Sequence, residues 1–167
     1  TRPFNDVLDM DCVLVCSRDK VWVLTTVDKS TAYRRWTVLE DLNARSVANA
    51  FQLNWVNVLG MPRAIMHDRG QEFVRDTFRP LVDELNVLNV ETPAFSPQSH
   101  GKAERANRTL LSALSGVQRN CKTKEDWKLA FSAAENLINN TATGSSPYTP
   151  SKMALGRTTP SLRTILE

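Results

Sequence analysis

The sequence predicts a mixed α/β domain built on one five-stranded sheet flanked by helices, and three observations carry that prediction. Short β-branched apolar runs crowd the first forty residues, the pattern of an antiparallel meander. Two further brief apolar runs then alternate with stretches of helical periodicity, as in strands linked by helices. Two amphipathic stretches close the chain. The predicted order is three strands, helix, strand, helix, strand, loop, helix, helix.

Taken in order, residues 7–16 (VLDMDCVLVC) and 20–28 (KVWVLTTVD) read as two strands, with polar punctuation at 17–19 for the turn. Residues 31–39 (TAYRRWTVL) give the third strand. Over 43–58, Val47, Ala50, Phe51, Trp55 and Val58 stand at helical spacing, and Gly60-Met61-Pro62 supplies the stop. Residues 63–67 (RAIMH) form a short strand ending at Asp68. Arg69-Gly70 then turns the chain into a helix through about Asn86, with Phe73, Phe78, Leu81, Val82 and Leu85 inward. A fifth strand follows at 87–91. The Pro-, Ser- and Gly-rich segment 92–101 (TPAFSPQSHG) predicts a loop. Helices are expected from Gly101 to about Asn120 and over 125–141, and a loop with a short helix closes the chain.

Composition narrows the class. With 167 residues, 41% hydrophobic and 23% charged, the chain is about one domain long and can bury a core, so residues 1–167 are read as one domain and disorder is excluded. No apolar run approaches the roughly 18 residues that span a bilayer, which predicts no membrane partner. The polar opening at Thr1 predicts no signal peptide in this piece, and the lack of an initiator Met suggests an excised fragment. Cys12, Cys16 and Cys121 are sparse and odd in number, which favours core packing in a reducing compartment over disulfides or zinc. The net charge of +3 names no partner, but within 99–124 Lys102, Arg105, Arg108, Arg119, Lys122 and Lys124 face Glu104 alone. A polyanion contact and a solvated helix face both fit that run.

The acidic residues follow the same logic. Asp68 ends a predicted buried strand, at the sheet edge where α/β folds bind ligands, although Asp-x-Gly is also a common turn. On the helix that follows the loop, Ala106, Leu110, Ala113, Leu114 and Val117 form the core stripe. Glu104, Arg108, Ser115 and Arg119 fall opposite. A solvent-exposed Glu104–Arg108 pair explains Glu104 in isolation.

The combination decides. A strand-one Asp, Asp68 at the end of strand four, and Glu104 after 35 intervening residues stand in one order. Around them lie HDRGQEF (67–73), SPQSHGKAERANRTL (96–110) and TGSSPY (143–148), the last preceded by Trp127 and Asn136. These blocks closely resemble the retroviral and gypsy-type LTR-retrotransposon integrase catalytic core, the D,D-35-E branch of the ribonuclease-H-like transferases. The resemblance spans nearly the whole chain. It implies a ribonuclease-H-like fold and the catalytic, metal-holding carboxylates Asp11, Asp68 and Glu104. Asp9 and Asp11 share a strand face. Asp11 is favoured because Phe4-Asn5-Asp6-Val7 leads into it as in similar cores, while Asp9, 19 positions before Asp28, stays open as the alternative. The unused Asp is expected to pair with a neighbouring Arg.

The resemblance further implies two Mg²⁺ or Mn²⁺ ions, with Asp11 bridging both, Asp68 on one and Glu104 on the other. It implies DNA as substrate: water cuts near the 3′ end of the element's DNA, and the freed 3′-hydroxyl then attacks target DNA. His100, Lys102, Arg105, Asn107 and Arg108 become the expected DNA contacts, Lys102 and Arg105 through phosphates. Homo-oligomerisation and a nuclear location are expected on the same ground, with only partial activity from this piece alone. The alternative is a decayed or domesticated integrase-derived module that binds DNA or protein without catalysis. Intact Asp68 and Glu104 argue against decay. A ribonuclease H or cut-and-paste transposase is disfavoured by the Pro-Gln-Ser-x-Gly loop and the 35-residue gap.

Overall fold

The computed structural model describes residues 2–68, 78–91, 108, 112, 114–115, 118–142 and 146–157. Five strands form one sheet in the order β3-β2-β1-β4-β5: β1 (Val7–Cys16), β2 (Val21–Asp28), β3 (Arg34–Val38), β4 (Ala64–His67) and β5 (Leu88–Glu91). The first three are the expected antiparallel meander. β4 and β5 run parallel to β1 on its other side. This is the five-stranded mixed sheet with flanking helices that the sequence predicts.

The meander forms because β-branched residues alternate across a pleated, half-buried surface. Leu8, Met10 and Leu24 turn to one face, and Val21 and Val23 to the other. One extra residue interrupts the β1–β2 ladder, since Leu14 opposes Trp22 and Cys16 opposes Val21. This bulge sends both Val15 and Cys16 to the second face. β3 starts three residues later than expected because the chain first turns at 29–32, with Ala32 at φ 60°. The buried Asp28 carboxylate organises that turn, accepting from the Thr31 amide (2.8 Å), the Thr31 hydroxyl (2.7 Å) and the Asn5 amide (3.0 Å).

Each sheet face carries its own core. On the first, α1 (Ala44–Phe51) and α3 (Phe78–Glu84) bring Val47, Phe51, Phe78 and Val82 against Leu8, Leu24 and Ile65. Asn43 caps α1 by accepting from the Ser46 amide. Between α1 and the short α2 (Asn57–Leu59) the chain takes a π-helical turn at Gln52–Val56. That turn corrects one expectation. Trp55 is buried, but Val58 is 58% exposed rather than inward. An extra residue in a helical turn rotates everything after it by about 100°. Gly60, at φ 89°, ends the segment as expected.

On the second face, α4 (Lys124–Asn139) packs Trp127, Ala130, Phe131 and Ala134 against Val21, Val23 and Trp36. Phe131 stacks on Trp127 (6.2 Å) and meets Trp36 edge-on (6.1 Å); each such buried aromatic contributes about 2–3 kcal/mol. A capping box starts α4: the Asp126 amide donates to Thr123, whose own amide donates to the Asp126 carboxylate. Leu114 is fully buried in this layer, while Arg108, Ser115 and Arg119 are exposed, as the expected stripe required. Gln118–Asn120, however, is a 3₁₀ turn rather than the α-helix expected there. Finally, α5 (Pro150–Leu155) is capped by Thr149 and closed by left-handed Gly156. Phe73 and the loop expected at 92–101 lie outside the described residues. None of the three cysteines is in a disulfide, and Cys121 is buried.

Candidate active site

The sheet order creates the site. β1 pairs antiparallel with β2 on one side and parallel with β4 on the other, so the chain changes winding direction beside β1. Crevices at such switch points, beyond the carboxyl ends of parallel strands, are where α/β sheets take ligands. The β1–β4 ladder runs Val7 with Ala64, Leu8 with Ile65 and Asp9 with Met66. β4 then ends at His67, while β1 continues to Cys16.

The last paired position is Asp9 with Met66; Asp11 and Asp68 each stand two residues further along their chains, Asp11 within β1 and Asp68 just past the end of β4. Side chains alternate along a strand, so Asp9 and Asp11 share the face of Val13, which packs against the layer holding Leu114 and Phe131. Ala64 and Met66, paired with Val7 and Asp9, lie on that face too, and Asp68 follows one residue past the end of β4. Asp11 is half-buried and Asp68 exposed, so both reach solvent.

Asp9 is differently engaged. Lys29 Nζ lies 3.2 Å from its Oδ1, so the partner of this carboxylate is a lysine, not the expected arginine. The reason is local: Lys29 directly follows β2, and Asp9 opposes Val27 in the ladder.

Behind Asp68, His67 is buried at 2% exposure. Its Nε2 lies 2.6 Å from Asn89 Oδ1 on β5, its Nδ1 meets the backbone carbonyl oxygen of Asp68, and its ring faces Phe78 edge-on at 6.1 Å. The sequence reading gave His67 no role. A signal existed, because a histidine inside an apolar strand must find polar partners once buried.

The rest of the expected set is largely beyond reach. Glu104, His100, Lys102, Arg105 and Asn107 lie outside the described residues, and Arg108 is helical and exposed. Leu114, ten residues after Glu104, is buried on the same sheet face that carries Asp11. Among the described residues no three of His, Cys, Asp or Glu come together as a metal-holding group. Asp11 on β1 and Asp68 just past the neighbouring β4 are carboxylates, the oxygen donors that suit hard divalent cations. A groove of about 500 Å³ between β3, α1 and α4, lined by Trp36, Leu53 and Glu135 among others, includes none of these carboxylates. Among the described residues no helix is long and apolar enough to cross a membrane.

No family model matches the chain. It is 32% identical over 160 residues to the Pro-Pol polyprotein of feline foamy virus, a match covering 93% of this chain and 13% of that polyprotein. The chain thus spans only about an eighth of that relative's length. Among solved structures it is similar to the catalytic core domain of BIV integrase, with 23% identity, a TM-score of 0.74, and coverage of 91% of this chain and 95% of that one. It is also similar to the HTLV-2 integrase catalytic core domain in complex with magnesium, in a trimeric form, with 18% identity, a TM-score of 0.77, and coverage of 91% and 97%.

Proposed function

We propose that this chain, a homologue of retroviral Pol polyproteins carrying the ribonuclease-H-like fold of integrase catalytic cores, is the catalytic core of a DNA polynucleotidyl transferase. In this reading it cuts near the 3′ end of an element's DNA and joins that end to target DNA. One observation carries the proposal: β1 and β4 are parallel neighbours, with Asp11 and Asp68 each two residues past their last paired position, beside the strand pair where the winding reverses.

Asp11, Asp68 and Glu104 are the proposed residues that would hold two Mg²⁺ or Mn²⁺ ions. The magnesium named for the HTLV-2 core and the two described carboxylates support divalent metal here. Bound there, divalent cations supply Lewis-acid stabilisation of the attacking and leaving oxygens. Both reactions are then one substitution at phosphorus. A water oxygen, or a DNA 3′-oxygen, bonds to the phosphate as the opposite P–O ester bond breaks. The attacking oxygen's proton passes to solvent and the leaving oxygen takes one from it, and no side chain is assigned as general base.

His100, Lys102, Arg105, Asn107 and Arg108 are the proposed DNA contacts, with exposed Arg108 free to meet a phosphate from the helix surface. Self-association and action on chromosomal DNA in the nucleus complete the proposal. The test is metal-dependent cutting and joining on a branched DNA substrate. Asp68→Asn and Glu104→Gln are each expected to abolish it while the fold stays intact. Undiminished activity in both variants would reject the site and favour a module that only binds.

A further inference from the structure

Asp68 is the first residue past β4, so its main chain leaves the sheet just where its carboxylate must be aimed. What meets its carbonyl oxygen is the Nδ1 of its own neighbour, His67. That ring is not free to swing. It is 2% exposed, its other nitrogen lies 2.6 Å from the Asn89 side chain on β5, and Phe78 of α3 closes over its edge. The ring therefore ties the departing backbone of β4 to β5, on the side of the sheet opposite the carboxylates.

We infer that His67 is a positioning residue: gripped by Asn89, it pins the Asp68 carbonyl and thereby fixes the direction of the Asp68 carboxylate. Two features make the ring suited to this. Nδ1–H can donate to the carbonyl of the very next residue, a reach that longer side chains overshoot. The Asn89 amide can present either its oxygen or its nitrogen to Nε2, so the grip does not depend on how the ring's protons are shared. Asp68 is the first residue past the end of β4, and a small rotation of its backbone moves the carboxylate by more than the roughly 0.5 Å that a metal or catalytic constellation tolerates.

The inference rests on the reading of Asp68 as a metal ligand, and the experiment separates the two. Mn²⁺ is titrated into the full chain, and free Mn²⁺ is followed by its paramagnetic resonance signal, with circular dichroism reporting the fold. Asp68→Asn is expected to lose binding. His67→Phe, which keeps bulk and ring packing but not the nitrogens, is expected to weaken binding about tenfold, the lower end for residues that orient a metal ligand. His67→Asn, whose amide nitrogen can stand where Nδ1 stands, is expected to recover most of that loss. If His67→Phe does not fold, Asn89→Leu, at the half-buried end of the clamp, is expected to weaken Mn²⁺ binding severalfold. Parental binding in His67→Phe, or in Asn89→Leu where His67→Phe is unfolded, overturns the positioning role if Asp68→Asn has lost binding. Equal loss in His67→Phe and His67→Asn also overturns it, because packing alone then accounts for the effect. Parental binding in Asp68→Asn removes the underlying site reading instead.

Discussion

Lys29 Nζ stands 3.2 Å from Asp9 Oδ1, and this ion pair separates the two acidic residues of β1. Asp9 pairs with a lysine at the end of β2, whereas Asp11 stands two residues further along β1, past the last position paired with β4.

Asp9→Asn is therefore expected to leave metal-dependent DNA cutting near the parental level. Because Asp9 and Lys29 are both partly exposed, the change should cost less than about 1 kcal/mol of stability. Asp11→Asn should abolish cutting with no loss of fold. Nuclease assays and urea melts on the two variants check both statements, and the reverse pattern would move the metal site to Asp9.

Asn139 covers the open edge of β3. Its Oδ1 accepts from the Arg34 amide at 3.0 Å and its Nδ2 donates to the Arg34 carbonyl at 2.7 Å, so one side chain replaces a missing neighbouring strand. Asn139→Ala should destabilise the fold by about 1–3 kcal/mol, because it strands a part-buried donor and acceptor together. It should also promote aggregation through the uncovered edge. Denaturant titration and light scattering measure the two effects.

Glu135, one turn earlier on α4, accepts from the Trp36 amide at 2.8 Å and lies 3.6 Å from Arg35. Burial nonetheless pushes its carboxyl above the ordinary glutamate range, outweighing the Trp36 amide and Arg35, which pull it down. The folded state thus binds this proton more tightly than the unfolded chain. The resulting stabilisation is complete below the unfolded pKa of about 4.3 and is lost as pH rises through the folded value. Glu135→Gln should flatten stability against pH in that window, as read from thermal melts. An unchanged slope would show that Glu135 ionises as freely as in water.

Asn5 joins four parts of the chain. At φ 66° it accepts from the Trp55 indole at 2.8 Å, donates to the Leu59 carbonyl and gives its amide to Asp28. Asn5→Gly and Asn5→Ala both lose the Trp55 contact, but only alanine resists the left-handed backbone. Asn5→Ala should be the less stable by about 1 kcal/mol, measured by urea denaturation.

Much of this arrangement was legible in the sequence, for physical reasons. The meander, β4 and the buried face of α4 each repeat with the period of their own secondary structure. Gly60 and Pro62 mark a stop that no helix passes. What escaped were features decided by tertiary contact. The π-helical turn that exposes Val58 leaves no periodic trace. Asn139 and Asn136 look alike until β3 is seen to run beside only one of them. Lys29 follows β2, so its closeness to Asp9 exists only in the folded register. The parallel pairing of β1 with β4, two strands some fifty residues apart, likewise exists only in the folded register.

Crystals of the chain soaked in Mn²⁺ test the central claim most directly, by locating the ion from its anomalous scattering. The account predicts a manganese ion held by carboxylate oxygens of both Asp11 and Asp68 at about 2.0–2.6 Å, with Asp9 still turned to Lys29. An ion on Asp9, or Asp11 and Asp68 pointing apart with no metal between them, would contradict it.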